Sequence, residues 1–284
     1  MSLDLTLRSL LSASTLPPSE ARLLMSHVLE QHYQLPRSAL LSRDEMSLSP
    51  EAVLQWQELQ SKRLAGHPIA YLIGKRGFHD IELYVAPGVL IPRPETELLV
   101  EIGLQEIARL HGLAKILDLG TGSGAIALAI ANAAPHILVT ATDQSSEALD
   151  IAKTNAQLLN LETRVQLLQG GWYEALNDDV RFDIILSNPP YISSLDPHLS
   201  QGDLRFEPKS ALTDHAGGLT CLEAIIDGAK EHLSPNGLIA VEHGFDQSDA
   251  VVDLLKTAGL SAIQTYLDLA GHRRVASGRN SGGQ

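Results

Sequence analysis

Cysteine is almost absent: Cys221 is the only one in 284 residues, so the chain cannot close an intramolecular disulfide. None of its 11 histidines joins a cysteine at zinc-site spacing, so no structural metal is expected. Basic charge is scarce as well. Lys and Arg number 21 against 34 Asp and Glu, a formal net charge of −13, whereas a surface that displaces counterions from nucleic acid needs the opposite balance. Long apolar runs are missing too: the richest stretch, 125–140, is broken by Asn132 and Pro135 well short of a membrane span. Asp4 stands where a secretory signal would be basic. Together these features predict a cytoplasmic protein with no membrane partner and no direct nucleic-acid binding.

What is present suits a globular chain with a real core, since 44% of residues are apolar and 19% charged. Charge divides the chain. Residues 1–80 carry eight basic and eight acidic side chains, and the remaining 204 residues, with 13 basic and 26 acidic, hold the whole deficit. The first 65 residues carry helix punctuation: Pro17-Pro18 ahead of Leu23, Leu24, Val28 and Leu29, then Ser49-Pro50-Glu51 as a cap with proline in the first turn. From 69 to 91 the pattern changes to short apolar runs at 69–73 and 81–85, separated by Gly74 and Gly77, which predicts a two-stranded connector. Pro92, Pro94, Glu95 and Glu97 then open a helix that Gly112 is expected to stop.

Beyond Lys115, apolar strands alternate with helical stretches, the signature of parallel strands joined by crossover helices. The last two strands, 261–267 and 272–276, are too close for a crossover and must pair as an antiparallel hairpin. The fold class is therefore α/β, a mostly parallel Rossmann-like sheet with an antiparallel C-terminal hairpin, the layout of class I methyltransferases. The expected domains are a helical unit (1–68), the connector (69–92), the sheet domain (93–276) and a flexible Gly/Ser-rich tail (277–284).

Two motifs carry the chemistry. Asp118-Leu119 followed by Gly120-Thr121-Gly122-Ser123-Gly124 leaves a strand and opens a helix, where glycines let backbone approach a ligand. Alone the string is ambiguous, because Gly120, Gly122 and Ala125 also satisfy a dinucleotide-binding pattern, so an NAD-linked oxidoreductase stays open at this point. Asp143 ends the next strand, where its carboxylate can accept both ribose hydroxyls or cap the following helix. The second motif, Asn188-Pro189-Pro190-Tyr191, follows the strand 182–187 and faces the same crevice. Two prolines supply carbonyl acceptors but no N–H, Asn188 adds an amide oxygen, and Tyr191 adds a flat face. Acceptors beside an aromatic face suit a planar NH2 group, as in a carboxamide or an adenine.

NPPY after DLGTGSG is similar to the amino-methylating S-adenosylmethionine enzymes, which act on adenine N6 or on protein glutamine. HPIAYLIGKRGFHDIELYVAPGVLIPRPETE (67–97), RFEPKSAL (205–212), GGL (217–219), EHG with Gln247, and DLAGHRR (268–274) resemble the peptide chain release factor glutamine methyltransferases of the HemK/PrmC family over nearly the whole chain. His79 departs from that family's usual aromatic or small residue. The resemblance implies S-adenosylmethionine as cofactor, and class 1 release factors, methylated on the side-chain nitrogen of the glutamine in their Gly-Gly-Gln loop, as protein substrate. It carries cofactor contacts onto Gly120, Thr121, Gly122, Ser123, Gly124, Asp143, Trp172 and Asn188. Glutamine contacts fall on Asn188, Pro189, Pro190 and Tyr191, with Asn188, Pro189 and Tyr191 as the catalytic set. It also makes the helical unit a docking module. An amide nitrogen is a poor nucleophile, so acceptors from the Asn188 side chain and the Pro189 carbonyl would hold it in line and stabilise its developing charge. The product's proton is acidic enough to leave to water. Glu97, Glu207, Glu242 and Asp268 are expected in cap and ion-pair roles rather than as bases. An adenine-N6 methyltransferase and a catalytically silent binding protein are the competing readings. Negative charge opposes the first, and intact NPPY the second.

Overall fold

The punctuation of the first segment becomes a helical unit in the computed structural model, which describes residues 5–111 and 114–282. Contacts divide the chain at Gly74/Lys75. The first unit holds α1 (Leu7–Ser12), α2 (Pro18–Tyr33), α3 (Ala39–Ser42), α4 (Pro50–Leu64) and α5 (Ile69–Ile73). Ser49 caps α4 by accepting the Ala52 N–H, and Pro18 and Pro50 fill first-turn positions where an N–H has no helical partner. Leu24, Met25, Val28 and Leu29 of α2 meet Val53, Trp56 and Leu59 of α4 in one core. Glu20 and Arg63 join at 2.7 Å.

The run 69–73, expected as a strand, is a helix. Pro68 sets its start, Gly74 ends it in the left-handed region at φ 70°, and Ile69, Leu72 and Ile73 fall at i, i+3 and i+4 against the helical core. A short apolar run has no unambiguous period, and here the neighbouring core decided it. The hairpin instead pairs β1 (Lys75–Phe78) with β2 (Ile81–Tyr84), and it belongs to the second unit. His79 sits at its tip with φ 49°.

The second unit continues with α6 (Glu97–Arg109), β3 (Lys115–Leu119), α7 (Ala125–Ala133), β4 (Leu138–Asp143), α8 (Ser146–Leu158), β5 (Val165–Gln169) and β6 (Phe182–Ser187). It closes with α9 (Thr220–His232), β7 (Leu233–Glu242), α10 (Ser248–Thr257), β8 (Leu260–Leu267) and β9 (Arg273–Asn280). Gly112, the expected stop of α6, lies outside the described residues. The sheet runs β5-β4-β3-β6-β7-β9-β8, parallel except for β9, which is antiparallel to both β7 and β8. Strand order reverses at β3, which opens a crevice at the carboxyl ends of β3, β4 and β6.

The Gly/Ser-rich end is not a loose tail. β9 extends through Ser277, Gly278, Arg279 and Asn280, with Ser277 opposite Ala240 and Gly278 opposite Ile239. Small residues are required there: a side chain on Gly278 would press against Leu260 at 3.1 Å. Asn280 donates to the Leu233 carbonyl, and Arg279 grips the buried Glu106 with two bonds of 2.7 Å. Composition alone reads such residues as flexible, whereas tight packing and an ion pair hold them. Because β9 is antiparallel to β7, Asn280 lies at the end of the sheet away from the crevice. Gly283 and Gln284 lie outside the described residues.

Candidate active site

Three glycines of the loop after β3 take left-handed backbone: Gly120 (φ 70°), Gly122 (φ 56°) and Gly124 (φ 85°). The loop is pinned from beneath by Asp118, whose carboxylate accepts the Thr121 hydroxyl at 2.6 Å and the Ala127 N–H at 3.2 Å. Burial pushes the Asp118 carboxyl up to about 7, against the pull of those donors. From the side, Asp143 accepts the Gly122 N–H at 2.8 Å and the Ser145 N–H at 2.9 Å. The cap of α8 is Ser145, so the capping role open to Asp143 falls to its neighbour. Burial raises the Asp143 pKa too. Asn155, fully buried on α8, donates to the Ser123 carbonyl and to Tyr84 of the hairpin, so the loop is fixed on a third side.

A cleft of about 930 Å³, its mouth included, opens over this loop. Its walls include Gly120, Thr121, Gly122, Ser123, Asp143, Trp172, Asn188 and Pro190, so most of the residues expected in the site meet on one surface. Gly124 does not line it. A side chain there would strike Leu128 at 2.8 Å, which makes Gly124 a helix-packing position. Trp172 lies over Gly120, where an added Cβ would touch its ring at 3.1 Å, and its carbonyl accepts the Thr142 hydroxyl. An added Cβ at Gly122 would meet nothing within 4 Å, so the missing side chain leaves open room beside Asp143. That room and the aromatic face of Trp172, with each Asp143 oxygen keeping a lone pair for a hydroxyl donor, fit the adenosyl portion of S-adenosylmethionine.

At the mouth of β6 the four residues of NPPY part company. Asn188 and Pro190 line the cleft, but Pro189 and Tyr191 do not. Tyr191 turns its hydroxyl inward, donating at 2.9 Å to Glu242 at the end of β7. Its expected flat face is therefore not part of the cleft wall. Gln247 clamps this segment by donating to the Tyr191 and Gly218 carbonyls at 3.0 and 3.1 Å. Glu242 is 1% exposed, and burial lifts its pKa to about 7 although Thr96, Tyr191 and Arg274 favour its charge and Glu95 opposes it. The Asn188 amide donates through Nδ2 to the Thr96 hydroxyl at 2.9 Å. The Pro189 carbonyl takes no hydrogen bond among the described residues.

The other carboxylates have structural work. Glu97 accepts the His79 N–H, Glu207 pairs with Arg93 at 2.5 Å, and Asp268 holds the β8–β9 turn through the Ala270 and His272 N–H groups. Sequence reasoning missed Arg93 and Thr96, which reach the cleft from the turn before α6, and Ser210 and Ala211, which also line it. Their signal was present, since 67–97 and 205–212 are two of the blocks that carried the resemblance. No group of His, Cys, Asp and Glu that could hold a metal occurs among the described residues.

A family model described as Methyltransferase small domain matches residues 95–203, and one described as PrmC N-terminal domain matches residues 6–74. The chain is 48% identical over 272 residues to the release factor glutamine methyltransferase of Bordetella pertussis, covering 96% of this chain and 98% of that one. It is 44% identical to that of Burkholderia pseudomallei, covering 98% and 97%. Among solved structures, a Pyrococcus furiosus methyltransferase superposes with a TM-score of 0.53 at 19% identity over 79% of this chain and 98% of that one. The T. thermophilus 16S rRNA N2 G1207 methyltransferase, solved with AdoMet and guanosine, gives 0.53 at 23% identity over 72% of this chain and 49% of that one. At such identities the structures speak for the fold.

Proposed function

The chain belongs to the release factor glutamine methyltransferases, and from that membership we propose that its cleft methylates the side-chain amide nitrogen of the glutamine in the Gly-Gly-Gln loop of class 1 release factors. The observation that carries this reading is the meeting of the glycine loop, Asp143, Trp172 and Asn188 on one wall. S-adenosylmethionine, when bound, supplies a methyl group on a sulfonium. Gly120 to Ser123, Asp143 and Trp172 would hold it, with Asp143 accepting ribose hydroxyls and Trp172 stacking on adenine.

Asn188 and Pro189 would act on the glutamine. An amide nitrogen has its lone pair delocalised into the carbonyl, and methyl transfer draws that pair out and leaves positive charge on nitrogen. Asn188 Oδ1, on the cleft wall, would take one N–H bond, fix the lone pair toward the methyl and stabilise that charge; the Pro189 carbonyl, which does not line the cleft but takes no hydrogen bond among the described residues, is the acceptor the motif offers for the other. No base is needed, because the N-protonated product is a strong acid and gives its proton to water. Tyr191 supports the motif from behind through Glu242. Residues 6–74, whose family model is that of the PrmC N-terminal domain, would dock the body of the release factor.

Incubation with labelled S-adenosylmethionine and either a class 1 release factor or adenine-containing DNA tests the reading. Label is expected on the release factor alone. Label on DNA with none on protein would transfer the site to the adenine-N6 class.

A further inference from the structure

An asparagine amide presents an oxygen at one end and an NH2 at the other, nearly equal in size, so packing alone cannot choose which end faces a ligand. Methyl transfer to a glutamine NH2 tolerates only one choice. With Oδ1 forward, Asn188 accepts an N–H from the substrate; with Nδ2 forward, two NH2 groups face each other and no hydrogen bond forms. Resting on the glutamine-methylating reading above, we propose that Thr96, anchored by Glu242, is the positioning residue that holds the Asn188 amide with its oxygen toward the substrate.

The hydrogen-bond polarity runs in one direction. Asn188 Nδ2 donates to Thr96 Oγ1 at 2.9 Å. A hydroxyl has a single proton, and Thr96 can accept from Asn188 only while that proton points elsewhere. The nearby Glu242 carboxylate, whose charge the Thr96 hydroxyl favours, keeps its Oε2 buried with no hydrogen-bond partner, and so offers the acceptor toward which that proton can turn. Tyr191 donates to Oε1 of the same carboxylate at 2.9 Å, which leaves Oε2 as the acceptor open to the turn before α6. The charged and titratable groups facing Glu242 are Tyr191, which burial keeps protonated, Arg274 on β9, and Glu95 beside Thr96. Thr96 is 4% exposed, which limits the access of water that could replace it as partner. Strand register brings two of these groups together, and the turn before α6 supplies Thr96: Asn188 and Glu242 each stand one residue beyond the paired Ser187 and Val241 of adjacent strands.

The relay can be cut or reversed. Thr96→Val keeps the shape and removes the hydroxyl, so Asn188 loses the partner that orients its amide. In Glu242→Gln, the new amide can turn its oxygen to Tyr191 and its NH2 to Thr96; Thr96 then accepts from Gln and turns its proton onto Asn188 Oδ1, which drives the wrong end forward. Steady-state methylation of a release factor, with calorimetric cofactor binding alongside, reads both. Thr96→Val should lower kcat by roughly 10- to 100-fold while KM and cofactor affinity change by less than about threefold, and Thr96→Ser should restore most of the rate. Glu242→Gln should lose kcat comparably and should also flatten the rise in rate expected of the wild-type enzyme as pH passes through the titration of Glu242. A Thr96→Val enzyme as fast as Thr96→Ser, or a Glu242→Gln enzyme with wild-type kcat, would overturn the proposal. Should Thr96→Val fail to fold, the Glu242→Gln result decides. Failure of the underlying reading looks different: the wild-type enzyme would then leave the release factor unmethylated, or Asn188→Ala would be as active as wild type.

Discussion

The Tyr191 hydroxyl donates to Glu242 at 2.9 Å, deep at the carboxyl ends of β6 and β7, so the tyrosine of the NPPY motif is a strut for the site and not a wall of it. Burial raises the Glu242 pKa from 4.5 to about 7. Between those values the folded protein keeps a proton that the unfolded chain has released, so this group's contribution is fullest below about 4.5 and declines as pH rises through 7. Asp118, raised to about 7 in the same way, acts with the same sign.

Tyr191→Phe removes a donor from a buried charge. It should cost about 1–3 kcal/mol at pH 8, where Glu242 is ionised, and distinctly less at pH 5, where it is protonated. Urea denaturation at the two pH values checks this, and an equal loss at both would show that Glu242 is not the group Tyr191 serves.

Asp143→Ala removes the acceptor for the Gly122 and Ser145 N–H groups and the proposed ribose contact together. S-adenosylmethionine should bind on the order of 1–3 kcal/mol more weakly by calorimetry. Unchanged affinity would confine Asp143 to bracing the loop.

The C-terminal strand makes a sharp truncation test. Ending the chain after Asn280 should change neither folding nor rate. Ending it after Ala276 removes Arg279 from Glu106, whose two arginine partners hold its carboxyl down at about 2 against burial, and leaves that charge buried without half its pairing. A loss of about 3 kcal/mol or more is expected from that pair alone, before the lost strand pairing is counted. Thermal unfolding of the two truncations reads the difference, and equal stability would contradict the assignment of 277–280 to the sheet.

Much of this was legible in the sequence, and the exceptions have physical causes. Alternating strands and helices beyond Lys115 announce a parallel sheet because each strand is a continuous apolar run and each helix carries its own punctuation. Asn188 and the glycine loop are legible because their chemistry resides in residue type. The helix 69–73 is not, since five apolar residues fit either period and the surrounding core chooses. Ser277 and Gly278 read as flexible because composition cannot see Leu260 pressing against the backbone. Thr96 escapes for another reason: it acts through a bond to a residue 92 positions away, a distance no local pattern encodes.

Removal of residues 1–74, the helical unit, should leave cofactor binding near wild type. Methylation of a whole release factor should fall far more than methylation of a short Gly-Gly-Gln peptide. Equal losses on both substrates would give the unit a part in forming the site.

Peptide mass mapping of a class 1 release factor, after incubation with S-adenosylmethionine and either the wild-type enzyme or Asn188→Ala, tests the proposed reaction most directly. One added methyl is expected on the glutamine of the Gly-Gly-Gln loop with wild type, and a rate lower by roughly 100-fold or more with the variant, the scale of losing an acceptor that works in the transition state. A methyl on any other residue, or full methylation by Asn188→Ala, would contradict it.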